Sequence, residues 1–359
     1  MIITLKNKLG CWANERWRSE FILSSPILSK AVGKSWLDLR NRHEAISIDP
    51  RSKGRICHWA DSSPLTVARI FPELGARLLQ QSLQDWPVRF QTSASASELS
   101  RQAPDVSIIL AIRGLGRLRL LRTVLPSLLA QRDCSVEIIV VEQSSHPEFI
   151  NEVPSGVRYL HTPIPEGTMP FNRSWALNAG ARLAQGRCLI LHDADMVVPD
   201  RYAASVSERL TDEMPAVRLA RYIFYLDQTT SENLMKSHNF DGIYAIDRVV
   251  QNNPTPFAVT RKAYYQIGGH DESFFGWGGE DNEFLDRLRT LPISEGSYLP
   301  IIHLWHPEAP NRSGDRNAAL LQRRLAEPAH ERIRKLARME FGGDTPSVMS
   351  DESPKVRTH

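Results

Sequence analysis

Two short acidic segments carry the residue types and spacings best suited to chemistry: His-Asp-Ala-Asp at 192–195 and Phe-Gly-Trp-Gly-Gly-Glu-Asp-Asn-Glu-Phe at 275–284. Asp193 and Asp195 stand two apart behind an apolar run, a spacing that lets carboxylates approach one hard cation. Mg2+ and Mn2+ take oxygen ligands and commonly bind through one or two carboxylates plus substrate phosphates. Asp195 is the expected direct ligand. Asp193 would contact a ribose or a metal-bound water. His303 and His306 end the later apolar run Ile-Ile-His-Leu-Trp-His-Pro at 301–307. Imidazole suits Mn2+ better than Mg2+, so His303 is the expected third ligand, with His306 as the alternative.

The second segment reads as a site for a sugar. Gly276, Gly278 and Gly279 allow backbone shapes closed to other residues and let a ligand come close. Trp277 between glycines is better placed to stack on a sugar face than to fill a core. Glu280 and Asp281 open a helix. The plain structural reading is a pair of acids favoured by the helix dipole. The functional reading is hydrogen bonding to sugar hydroxyls by Glu280 and proton abstraction by Asp281. Arg173, near a helix start, and Arg113, after a strand, suit bidentate phosphate contacts. Glu142, at another strand end, could accept a hydrogen bond from a nucleobase or stand equally well as a plain strand-end carboxylate in water.

Positioning these groups calls for an α/β fold. Apolar runs at 106–112, 136–143, 157–162 and 187–195 alternate with helical spacing at 117–131 and 171–185, the pattern of a mostly parallel sheet with right-handed crossovers. Ligands of such sheets sit beyond the carboxyl ends of the strands, where Asp193 and Asp195 fall. A further strand is expected at 220–226, a loop from there to about 242, a strand and helix over 255–269, a helix over 280–291 and a strand from 299. Within 63–86 one or two helices are expected, with Ser63 as cap and Pro64 in the first turn.

The polar, small-residue stretch 91–104 suggests a boundary. The expected division is an N-terminal region of open role over 1–103, a main domain over 104–312, a basic helix over 313–341 and a disordered tail over 342–359. A net charge of +3 among 359 residues does not argue for nucleic acid as a partner. The four cysteines form no Cys-x-x-Cys pair, against a thiolate zinc site and in keeping with a reducing compartment. No apolar stretch reaches membrane length. A cytoplasmic protein is expected, with peripheral contact to the inner face of the membrane open through Arg323, Arg324, Arg332, Arg334, Lys335 and Arg338. The competing reading of that basic helix is a solvated face interleaved with glutamates.

Residues 105–310 resemble a GT-A-fold glycosyltransferase. The second half is similar to the β-1,4-galactosyltransferase family and to the galactosyltransferase modules of bacterial chondroitin-type polymerases. Phe-Asn-Arg-Ser-Trp-Ala-Leu-Asn-Ala-Gly (171–180) resembles that family's helix before the D-x-D strand. Leu-Ile-Leu-His-Asp-Ala-Asp-Met-Val-Val-Pro resembles the strand itself, and 257–288 resembles its donor and acceptor segment. The resemblance implies a Rossmann-like nucleotide-sugar fold with an N-terminal extension, a UDP-sugar donor, Mn2+ (or Mg2+) and a glycan or lipid-linked saccharide acceptor. It assigns Asp195 and His303 to the metal, Asp193 beside them, and Phe171 and Arg173 to the nucleotide. Trp277, Gly278, Gly279, Glu280 and Asp281 then surround the reacting sugar. It implies inversion with Asp281 as base, since related retaining transferases carry Asn there. The lack of the animal members' anchor and disulfides points to a bacterial, cytosolic version. Two other readings stay open: a non-catalytic sugar-nucleotide or glycan-binding module, and a retaining transferase on the same fold.

Overall fold

The computed structural model of the chain describes residues 5–60, 62–92, 103–165, 169–307 and 314–349. A seven-stranded sheet forms its centre, running in space from Ile293–Ser294 through Ala216–Val217, Phe257–Thr260, Cys188–His192, Val106–Ile112 and Val136–Ser144 to Arg158–Pro163. Val106–Ile112 pairs in parallel with both Val136–Ser144 and Cys188–His192. These strands are almost wholly buried, as apolar runs covered by helices on both faces must be. The expected mostly parallel sheet is present. Phe257–Thr260 departs from it, lying antiparallel to Cys188–His192 and Ala216–Val217.

A second sheet of five strands orders Ser63–Pro64, Arg248–Gln251, Ala220–Tyr225, Leu299–His303 and Met196–Val197. It takes the chain directly after Asp195 and pairs Met196 with His303. The two acidic and histidine segments, a hundred residues apart in sequence, are thereby neighbours in backbone register.

Several expected elements differ. Ser63 and Pro64 do not open a helix; they form an edge strand against Arg248–Gln251, where proline's missing N–H costs least. Helices follow at Thr66–Ile70 and Pro72–Asp85, with Pro72 in the first turn of the latter. The stretch expected as a loop before residue 242 contains the helix Gln228–Ser237, capped by the Asp227 carboxylate, which accepts from the Thr230 N–H. The single basic helix is two, Gly314–Ala326 and Ala329–Leu336, separated at Pro328. Two of its charges are consumed inside the fold: Arg324 meets the buried Asp271 at 2.7 Å, and Arg332 meets the buried Glu283. Neither a free lipid-facing surface nor a wholly solvated face fits these two arginines. Residues 342–349 are ordered against the main domain, Glu272 accepting from the N–H groups of Gly342 and Ser347 at 2.6 Å each. The rest of the expected disordered tail, 350–359, lies outside the described residues.

The N-terminal region does not stand apart. Leu65, Leu74, Leu78 and Leu79 share one buried cluster with Tyr222, Ile301 and Ile302 of the five-stranded sheet. The Arg221 guanidinium donates to the carbonyls of Leu37 and Leu39.

Candidate active site

Asp193, Ala194 and Asp195 form the turn that carries the chain from the first sheet to the second. The pairing of Met196 with His303 sets Asp195 beside the end of Leu299–His303, and the Leu304 N–H donates to the Asp195 carbonyl at 2.8 Å. His306 returns to the same carboxylate. Its Nε2 lies 3.1 Å from Asp195 Oδ2, and His303 Nε2 lies 3.7 Å from Oδ1. One ligand atom from each of Asp195, His303 and His306 falls within 4.8 Å of the others. Sequence left His303 and His306 as alternatives; the fold brings both. Tyr225, paired in register with His303, stacks on its imidazole at 4.2 Å and holds the ring in place.

This donor set fits a divalent cation. Asp195 Oδ1 is buried without a hydrogen-bond partner, a cost that a ligand at that position would remove. Burial by itself would raise the Asp195 carboxyl. The hydrogen bond from His306 and the neighbouring His303 and Arg117 outweigh it and hold the group well below the usual carboxylate range. Burial lowers His303 despite the nearby Asp195, which favours the neutral imidazole that a metal ligand needs.

Arg173 joins the two acidic segments. It follows Asn172, the cap of helix Arg173–Leu183, whose side-chain oxygen accepts from the Trp175 N–H at 2.9 Å. Its guanidinium donates to Asp193 at 2.5 Å and to Asp281 at 3.0 Å. Burial raises the Asp281 carboxyl above its ordinary value while Arg173 pulls it back. Glu280 is pushed up to about 7 by burial and then by the Asp281 charge. Its Oε2 is buried and unpartnered, free to meet a ligand hydroxyl.

The turn before these acids is shaped by its glycines. Gly278 and Gly279 have φ of +96° and +92°. A Cβ on Gly279 would stand 2.8 Å from the Phe274 ring. Trp277 is 55% exposed, which suits a stacking surface rather than a core. The turn is tied from two sides: the Gly276 N–H donates to the Phe171 carbonyl at 2.8 Å, and the Asn317 amide donates to the carbonyls of Phe275 and Trp277 at 3.1 Å each.

Other expected residues fall differently. Glu142 is fully buried, and its carboxylate accepts from Ser144, Tyr159 and the N–H groups of Glu148 and Phe149. It is spent on the protein's own structure, which corrects its assignment to a nucleobase. Arg113 donates to the Met169 carbonyl at 2.6 Å and so braces the segment leading to Phe171. Sequence reasoning missed Arg117, 3.3 Å from Asp195 Oδ2. Its signal was positional, a cation in the first turn after a central parallel strand, where ligand sites of such sheets gather. Asn317 was missed too, because nothing local ties residue 317 to a turn forty residues earlier.

Residues 113–274 match Glycosyl transferase family 2, and residues 256–300 match the family described as N-terminal domain of galactosyltransferase. Beta-1,4-galactosyltransferase 3 of Homo sapiens is 26% identical over 159 residues, covering 41% of this chain and 34% of the relative. The chain thus spans about a third of the length of the relatives it matches. A solved structure of a Drosophila beta-1,4-galactosyltransferase 7 mutant, in complex with manganese, UDP-Gal and xylobiose, aligns with TM-score 0.34 and 15% identity over 59% of this chain and 78% of that one. A mannosyltransferase from Pyrobaculum calidifontis, in complex with GDP-Man and Mn2+, aligns with TM-score 0.38 and 16% identity over 72% of each chain.

Proposed function

We propose that this GT-A, galactosyltransferase-like chain transfers galactose or GalNAc from a UDP-sugar to a sugar hydroxyl of a glycan or lipid-linked saccharide, with inversion. The observation that carries the reading is the single guanidinium of Arg173 set between Asp193 and Asp281. It holds the cation side of the site and the proton-accepting side at a fixed separation. Asp195, His303 and His306 would hold Mn2+ (or Mg2+), with Asp193 beside them. The ion would offset charge developing on a leaving diphosphate.

The remaining work falls to the chain's own side chains. Trp277 offers a face to a sugar ring. Glu280, with its unpartnered oxygen, accepts or donates at a ring hydroxyl. Asp281 takes the proton of the acceptor hydroxyl, and its raised affinity for protons brings it nearer the working pH of a general base. Arg173 is placed to let go of Asp281 when a phosphate competes for it, since guanidinium pairs well with both anions. The likeness of residues 256–300 to a galactosyltransferase domain supports the choice of donor class.

A panel of UDP-sugars with and without Mn2+, read by released UDP, tests the donor and the metal, and the anomeric configuration of the product by NMR tests inversion. Asp281→Asn should lower kcat by about 10²–10⁴ with donor affinity kept, the range of a lost general base. Turnover unchanged in this variant would sink the assignment of the base. Donor binding without turnover in the parent chain would favour a binding module instead.

A further inference from the structure

We propose that the helical face built by residues 5–34 docks the protein on an anionic lipid surface. This site is distinct from the basic helices near the C-terminus, and it does not depend on the transferase reading. Three helical segments, Leu5–Cys11, Trp17–Ser24 and Pro26–Ala31, have a wider turn at Trp12–Arg16 between the first two; Trp17–Ser24 packs on helix Pro72–Asp85, Leu5–Cys11 on helix Thr66–Ile70, and Pro26–Ala31 on Trp17–Ser24. Their inner side is apolar and buried: Cys11, Ile22 and Leu23 belong to the main core. The Gln81 amide donates to the Leu23 carbonyl at 2.6 Å, and Arg77 pairs with Glu20 at 2.7 Å.

The outer side is also apolar, which a water-facing helix has no reason to be. Leu5, Leu9 and Trp12 recur at i, i+4 and i+7, one stripe of a helix. Trp12 and Trp17 are 61% and 62% exposed, and Ile27 is 84% exposed. Of the seventeen large apolar side chains exposed among the described residues, eight fall between residues 5 and 32. Such a density in so short a stretch exceeds the single, scattered exposed apolar residues of an ordinary surface.

Charge selects the occupant. Every exposed charged residue of 5–34 is a lysine: Lys6, Lys8, Lys30 and Lys34. The two acids of the stretch are half-buried, and Glu20 is held by Arg16 and Arg77. Formal charge over 5–34 is six cations less two anions, +4, against +3 for the whole chain. This segment therefore carries a larger net positive charge than the chain as a whole, and its exposed part is four lysines. Apolar stripes with tryptophan, bordered by lysine, are the composition of helices that lie in the headgroup layer of anionic bilayers. No helix among the described residues is long and apolar enough to cross a membrane, so the contact is one of lying on the surface.

The test is co-sedimentation of the full chain with vesicles of phosphatidylcholine, with and without phosphatidylglycerol. Binding to the phosphatidylglycerol vesicles is expected, weakened by salt. Replacing Lys6, Lys8, Lys30 and Lys34 together by Gln should lower partitioning by about tenfold or more at low salt, each lysine near an anionic surface contributing to the attraction. Trp12→Ser with Trp17→Ser should lower it by about tenfold as well, through lost apolar burial. Ile150→Ser, at an exposed apolar residue elsewhere, should leave it unchanged. Circular dichroism melts matching the parent's would show that these variants fold. Absence of binding to either vesicle overturns the proposal, as does binding insensitive to both sets of substitutions. A dimer by light scattering that Trp12→Glu disperses, without vesicle binding, would assign the face to a second copy of the chain and likewise overturn it.

Discussion

Arg173 does two jobs at one position, and both follow from its surroundings. Its side chain is largely enclosed and salt-bridged to carboxylates from two distant segments. Removing it would leave Asp193 and Asp281 crowding one another with no counter-charge. Glu280 shows the cost of assembling such a site. Its carboxyl titrates near 7 when folded against an ordinary 4.5. Between those values the folded state holds a proton that the unfolded chain has released, so this group makes stability fall as pH rises from about 4.5 to about 7. Glu280→Gln removes the penalty. It should gain about 1–2 kcal/mol over the parent at pH 8, after allowance for partial exposure, and almost nothing at pH 4.5. Urea unfolding at the two pH values checks this, and an equal effect at both would refute it. The same variant should be less active, the usual trade between a strained site and its function. Glu280 and Asp281 stood out in the sequence through the Trp-Gly-Gly turn before them, whereas Asp193 and Asp195 belong to a pattern that many chains carry by chance; it is the fold that sets Asp193 and Asp281 on one guanidinium. Glu142 was misread because a strand-end carboxylate looks the same whether it faces a ligand or its own loop.

At the scale of elements, the site is held by segments that contribute none of its clustered carboxylates and imidazoles. Helix Gly314–Ala326 supplies Asn317 to the Trp277 turn and Arg324 to Asp271. Asp271 is buried, and the loop it anchors leads directly into the Phe-Gly-Trp-Gly-Gly turn. Arg324→Ala would strand that carboxylate, so a loss of about 3–5 kcal/mol is expected. Arg334→Ala, on the exposed side of the next helix, should stay within about 0.5 kcal/mol. Thermal unfolding of the pair distinguishes a buried strap from a solvated basic face; equal effects would contradict the buried pairing. Hydrophobic periodicity made the central strands and the helices Arg173–Leu183 and Glu280–Leu288 legible. It failed for Gln228–Ser237, whose polar composition masks a helix set by its Asp227 cap, and for Ser63–Pro64, where a long-range strand partner overrode the local helix signal.

Across the whole molecule, residues 5–92 act as part of the core rather than as an appendage. The buried leucines of Pro72–Asp85 cover the five-stranded sheet, and that sheet carries Met196, Tyr225 and His303. Deletion of residues 1–103 should expose this face and abolish cooperative unfolding, measured by circular dichroism on heating. A deletion variant that melts cooperatively near the parent's temperature would show that the chain after the boundary expected at 103 folds without residues 1–103. The sequence by itself determined the α/β class, the central parallel strands, the acidic pair of segments and the helix that opens at Glu280, because each is written in local spacing and residue type. Tertiary structure alone decided that both His303 and His306 face Asp195, that Arg117 joins them, that Arg173 bridges Asp193 to Asp281, and that Glu142, Arg324 and Arg332 turn inward. Those outcomes depend on which distant backbone a side chain meets, and strand register between sheets, not local pattern, sets that meeting.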